Sequence, residues 1–107
     1  MTPLTEAQAV LARAMTEKQL LAHVRAAAHT FGYRTYHTLR STGSEPGFCD
    51  LILLRGRVGL AVELKREGKD TTPAQDGWLH AFANAGFRTA IWRPRDWLNG
   101  RILEELE

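Results

Sequence analysis

The sequence is short of several things, and each shortage narrows its function. It has a single cysteine, Cys49, so no disulfide can form within the chain, and a reducing cytoplasm is the expected compartment. No apolar run exceeds five residues, against the roughly 20 that a membrane-spanning helix needs. The opening stretch "MTPLTEAQAVLARAMTEKQ" has neither the basic start nor the continuous apolar segment of a secretory signal. His23, His29, His37 and His80 show no paired ligand spacing, which argues against zinc. A net charge of +2 is too small to mark the whole chain as a nucleic-acid binder.

What is there fits one small globular domain. The chain has 107 residues, 44% hydrophobic and 24% charged, enough for one core and not for two. Its cations concentrate after the first helices, from Arg34 and His37 through Arg55, Arg57, Arg93 and Arg95 to Arg101. Glu104, Glu105 and Glu107 crowd the C-terminal end. A basic face masked by an acidic tail is one reading of this distribution; solubilising charge scattered over the surface is the other.

Local patterns predict the order helix, three strands, helix, strand. Thr16, with Gln19 three residues on, forms a capping-box pattern for a helix to about Thr30, and Gly32 stops it. An earlier segment, Glu6 to Met15, also reads as helical and begins after the pair Thr5 and Gln8. "YRTYHTL" predicts a strand from Tyr33 to about Leu39, and "RSTGSEPGF" a loop. Strands are then expected over Asp50–Leu54 and Val58–Lys65, a helix from Thr72 and Pro73 to near Gly86, and a strand at "FRTAIW". "RPRDWLNGRILEEL" closes the chain with a short helical turn or two. Short connections make the first three strands antiparallel, and a right-handed helical crossover brings the fourth in parallel to the third. The expected class is α/β (α+β), with a small mixed four-stranded sheet flanked by helices, as a single domain over residues 1–107.

One hairpin carries charges where a core hairpin normally has none. In "GFCDLILLRGRVGLAVELKRE", Gly56-Arg57 suits a type II′ turn, which pairs Arg55 with Val58 and, counting outward, sets Asp50 opposite Glu63. Leu51, Leu53, Leu60, Val62 and Leu64 then form one apolar layer; Asp50, Ile52, Ala61, Glu63 and Lys65 share the other face. Directly opposed side chains have Cβ atoms about 4.5–5.5 Å apart, so two half-buried carboxylates repel. A divalent cation between them would remove the repulsion: Mg²⁺ and Mn²⁺ take hard oxygen ligands, often one or two carboxylates plus water and phosphate. A neighbouring lysine could orient water or stabilise a phosphate oxygen, which makes chemical sense of a phosphodiesterase site. The plainer reading keeps Glu63 and Lys65 as a solvated pair and Asp50 as a cap near the loop.

These residues resemble a known family. Asp50 followed by Glu63-Leu64-Lys65 on the next strand is similar to the motif of the PD-(D/E)xK nuclease superfamily. More narrowly, "GFCDLILLR…AVELKRE…TTPAQDGWLHAFANAGFRTAIWRPRDW" resembles the VRR-NUC family, virus-type replication and repair nucleases, over roughly Thr16 to Leu103. The resemblance implies a metal-dependent DNA endonuclease, bacterial or phage-encoded, with catalytic residues Asp50, Glu63, Lys65 and Gln75. Mg²⁺ or Mn²⁺ would be held by Asp50, Glu63 and the Leu64 backbone carbonyl, with Glu17 as a further acid. It also implies branched DNA, including four-way junctions, as substrate and a homodimer as the assembly. The family usually has proline before the aspartate, where this chain has Cys49.

Several residues keep two readings. Gln75 stands three residues after Thr72, so it fits a capping box, and a helix N-terminus beside a metal could serve both roles. Glu17 suits the first turn of any helix through the macrodipole. Cys49 reads as a buried thiol and not a thiolate nucleophile. Trp78, Trp92 and Trp97 read as core or interface. Arg40, Ser41 and Ser44 in the polar loop, and Arg66 and Lys69 beyond the lysine, are candidate DNA contacts or ordinary exposed residues. The rival functions are a non-catalytic binding module of the same fold and a nuclease for linear or flap DNA or RNA.

Overall fold

The structure, a computed structural model, describes residues 3–39 and 45–107. Helices α1 (Glu6–Ala14) and α2 (Glu17–Thr30) precede strands β1 (Arg34–His37), β2 (Leu51–Arg55) and β3 (Val58–Leu64). Helix α3 (Pro73–Asn84), strand β4 (Arg88–Trp92) and helices α4 (Pro94–Leu98) and α5 (Arg101–Leu106) follow. Thr5, Thr16 and Thr72 each accept from the backbone N–H of a glutamine three residues on, and each glutamine side chain returns the bond. The repeated Thr-x-x-Gln pattern therefore starts all the long helices by one device, satisfying N–H groups that a helix cannot pair internally.

The sheet order is β1-β2-β3-β4, antiparallel except for the parallel β3–β4 pair. It is the mixed, helix-flanked sheet the connection lengths predict. One face buries Leu51, Leu53, Leu60, Val62 and Leu64 against Leu20 and Val24 of α2, with Trp92 and the α5 residues Ile102 and Leu106. The opposite face holds a smaller cluster of Cys49, Ala61 and Leu79, bordered by Phe48, Ile52, Phe82 and Phe87 beneath α3. Each fully buried leucine of the larger core contributes about 1.5–3 kcal/mol relative to exposure. That layer fixes which residues of the hairpin face which way.

Several boundaries differ from the expectation. β1 ends at His37, two residues early, and β2 begins at Leu51 because the chain bends at Asp50. The C-terminal stretch is more than a turn or two: α4 and α5 are distinct helices broken at Gly100, which takes φ +84°. Ile102 and Leu106 are fully buried, so α5 completes the main core, a role its three charged residues in six disguised. α1 packs against α4 and leaves Val10 and Leu11 exposed.

Candidate active site

The site grows from the hairpin turn. Gly56 takes φ +59° while Arg57 stays at negative φ, the pattern of a type II′ turn. The resulting register runs from Arg55 opposite Val58 to Leu51 opposite Val62, as the sequence predicts. One step further would place Asp50 across from Glu63, but there the ladder gives way. A regular continuation would offer the Leu64 N–H to the carbonyl of Cys49. Instead the Leu64 N–H donates to Asp50 Oδ2 at 2.8 Å. The bend turns Cys49 to the α3 side, against Ala61 and Leu79, so strict alternation fails at this one position. The Asp50 carbonyl accepts from the Thr38 N–H at 2.9 Å, which holds the bend from its other side.

Gly47 makes this approach possible. It has φ +82°, and a Cβ there would lie 2.5 Å from the Ala74 carbonyl carbon, so only glycine lets the loop lie on the first turn of α3. That contact brings Gln75 beside the strands. The Gln75 side chain does two things at once: Oε1 accepts from the Thr72 N–H at 2.8 Å, and Nε2 donates to Glu63 Oε1 at 3.0 Å. The capping box is present, and the same side chain reaches Glu63.

Glu63 is 2% exposed, and its second oxygen, Oε2, is buried with no hydrogen-bond partner. Burial pushes its carboxyl up to about 8 from an ordinary 4.5. The nearby negative charge of Asp50 pushes the same way, as does Glu17, while the Lys65 ammonium opposes them. At neutral pH burial thus favours the protonated form of the metal-free Glu63. Lys65 is 9% exposed, its backbone N–H bonded to the Trp92 carbonyl at 3.0 Å, so β4 fixes where the side chain starts. Burial pushes the Cys49 thiol up to about 12, with Glu63 adding to the effect, which excludes a thiolate nucleophile.

The structure brings together Asp50, Glu63 and Gln75, with Leu64 and Lys65 on the same strand end. Glu17 reaches the same neighbourhood from α2 and lines a cleft with Asp50 and Leu64. Among the described residues, no group of three or more His, Cys, Asp or Glu side chains converges as a metal cage. The two-carboxylate donor set, with an unpartnered buried oxygen, nonetheless fits Mg²⁺ or Mn²⁺, ions that keep waters and bind through one or two carboxylates.

The candidate DNA contacts fare differently. Arg66 is exposed and turned toward α1, where its guanidinium donates to the Arg13 carbonyl at 3.4 Å. The carbonyl of exposed Lys69 accepts from Arg93 at 2.8 Å. Arg40, Ser41 and Ser44 lie outside the described residues. Much of the basic middle is occupied within the fold: Arg95 pairs with Glu67, Arg101 with Glu105 and Asp96, and Arg55 lies 4.4 Å from the centre of the Tyr33 ring. Trp92 is core, Trp97 stacks on His23, and Trp78 joins an aromatic cluster with Phe48 and Phe82. Sequence reasoning passed over Gly47 and Thr38, whose buried hydroxyl has no partner; a glycine before an aromatic was the available sign for the first, and nothing marked the second.

A family model for the VRR-NUC domain matches residues 5–96. No curated protein and no solved structure matches the chain.

Proposed function

This chain belongs to the VRR-NUC family, nucleases of the PD-(D/E)xK type, and from that premise we propose that it is a DNA endonuclease dependent on Mg²⁺ or Mn²⁺. The observation that carries the reading is Glu63: a buried carboxyl with one oxygen unpartnered, beside a second carboxylate, in a place where burial makes charge costly. Asp50 and Glu63 would hold the cation. The Leu64 carbonyl would join them, since a strand residue's N–H and C=O point to the same side and the Leu64 N–H already meets Asp50. A cation there supplies positive charge to the scissile phosphate and lowers the pKa of water.

The chain's own groups do the rest. Gln75 fixes the Glu63 carboxyl through Oε1, leaving Oε2 directed to its ligand. The Leu64 N–H orients Asp50. Lys65, near this pair, orients the attacking water and neutralises charge that builds on the phosphate oxygens, while Glu17 adds negative potential at the cleft wall. Branched DNA, including four-way junctions, is the proposed substrate, cut by a C₂ homodimer that presents one site per protomer. Exposed Val10 and Leu11 on α1 offer apolar surface for that contact.

Labelled linear, flap and four-way DNA, and an RNA of the same sequence, each incubated with and without Mg²⁺ and Mn²⁺, test this reading. Cation-dependent internal cuts in the junction are expected. No cleavage of any substrate with either cation would sink it. Light scattering at micromolar concentration should give a dimer mass, and a monomer with and without junction DNA would remove the assembly from the proposal.

A further inference from the structure

The cleft that Asp50 shares with α2 is larger than a metal site needs. It has a volume of about 680 Å³ and runs between α2 and the segment that follows β1. Pockets of roughly 300–1,000 Å³ hold one drug-sized ligand. Lys18, Leu21, Ala22 and Arg25 line it from α2 at the spacing i, i+3, i+4, i+7, one continuous helical face. Leu39 adds apolar surface and is 70% exposed, a leucine that folding alone does not use. His37 supplies an imidazole ring on the opposite wall.

The charge is ordered along this cleft. Its acids, Glu17 and Asp50, stand at the end where a cation is proposed. Arg25 lies seven residues beyond Lys18, about 10 Å further along the helix. The ion pairs among the described residues involve Glu67, Asp96 and Glu105, so Lys18 and Arg25 have no acidic partner among those residues. An apolar floor between cations suits a chain that carries flat apolar faces and regularly spaced negative charge.

Resting on the nuclease reading, we infer that this cleft seats an unpaired nucleotide of single-stranded DNA beside the scissile phosphate. A base in a B-form duplex is stacked and shows only its edge, so it cannot lay its face on Leu21 and Ala22. An unstacked base can, with His37 across from it, as enzymes that act on extruded or single-stranded bases hold them between apolar and ring surfaces. Lys18 and Arg25 take the flanking phosphates. The site then favours cuts where a nucleotide can leave the stack, as at a branch point or a flap, and fully paired linear duplex is its poorest substrate.

Binding in chelator separates this inference from the chemistry. Fluorescence anisotropy at one fixed salt concentration would compare a labelled eight-residue single-stranded DNA with a blunt duplex of the same sequence. Wild type should bind the single strand at least about tenfold more tightly. Ala22→Phe fills the cleft from an exposed helical position, and Arg25→Ala removes one phosphate contact; each should weaken single-strand binding by about tenfold. Arg57→Ala removes the same charge at the hairpin turn, the opposite end of β2 and β3, and should stay within twofold of wild type.

Equal affinity of wild type for the two DNAs, no single-strand binding, or unchanged single-strand binding in both cleft variants would each overturn the inference. If cation-dependent cleavage persists in any of those cases, the nuclease reading stands and the cleft assignment alone falls. If single-strand binding behaves as expected but no cation supports cleavage, the reverse holds.

Discussion

The two ends of the β2–β3 hairpin are built to opposite rules. At the turn end, Arg55 lies over Tyr33 and its guanidinium donates to the carbonyls of Phe31 and Glu107, both at 2.9 Å. One side chain ties the end of α2 and the C-terminus to the sheet. The only buried polar atom left without a partner there, among the described residues, is the neutral Tyr33 hydroxyl. At the other end, the Glu63 carboxyl and Lys65 are withdrawn from water beside half-buried Asp50, and Glu63 Oε2 and the Thr38 hydroxyl have no partners. A buried carboxyl with an unpaired oxygen costs more than a buried neutral hydroxyl. The turn end contributes stability, while the open end gives some of it up.

Breaking each end in turn tests that contrast, and the largest effect should come from the open end. Lys65→Ala should lower cleavage on the order of 10²-fold or more while DNA affinity is largely kept, because it removes help specific to the transition state. Cleavage within a few fold of wild type would remove Lys65 from its role.

The next effect in size is on stability against pH. Glu63 is held near 8 in the fold and near 4.5 when unfolded, so its contribution is fully present below pH 4.5. It is lost as pH rises toward 8, because the unfolded chain gives up the proton first. Metal-free wild type should therefore lose roughly 2 kcal/mol across that window, a figure below the full shift to allow for relaxation. Glu63→Gln, a neutral near-isostere, should lose much less. Urea midpoints measured in chelator from pH 5 to 8.5 read this directly, and parallel profiles for the two proteins would contradict it. Saturating Mn²⁺ should flatten the wild-type profile, since binding takes the place of the proton.

A smaller and opposite change is expected from Asp50→Asn. The amide oxygen can still accept from Leu64, but the charge facing Glu63 is gone. In chelator at pH 7 this variant should melt higher than wild type, by an amount corresponding to roughly 0.5–2 kcal/mol. Mn²⁺ should then stabilise wild type more and reverse the order. If the two proteins melt together in chelator and shift equally with Mn²⁺, the carboxyls do not act as a pair.

The smallest effect on cleavage belongs to the turn end. Arg55→Ala removes two hydrogen bonds to carbonyls and one cation–π contact, partly exposed, and should cost about 1–2 kcal/mol of stability. Cation-dependent cleavage by the folded variant should stay within twofold of wild type. A tenfold fall in cleavage would mean that the two ends of the hairpin are not independent.

Much of this is legible in the sequence itself. Thr-x-x-Gln marked the helix starts because a capping box is a local device of four residues, and the structure repeats it at Thr5, Thr16 and Thr72. Gly56-Arg57 set the hairpin register because turn type fixes pairing in a two-residue loop. From that register came the apolar layer of Leu51, Leu53, Leu60, Val62 and Leu64, and with it the nearness of Asp50 to Glu63.

Tertiary structure decided what depends on groups far apart in the chain. Asp50 meets the Leu64 N–H only because the strand bends, and it bends where Gly47 lets the loop press against Ala74 on α3. Glu63 has its raised pKa because α3, β4 and the loop exclude water around it, an effect with no trace in the residues adjoining it. The cations of the chain looked alike in sequence; packing spent Arg55, Arg95 and Arg101 on the fold and left Lys18 and Arg25 facing a cleft. Periodicity and turn chemistry act over a few residues and can be read from a string. Desolvation and charge pairing act through space, so only the folded chain assigns them.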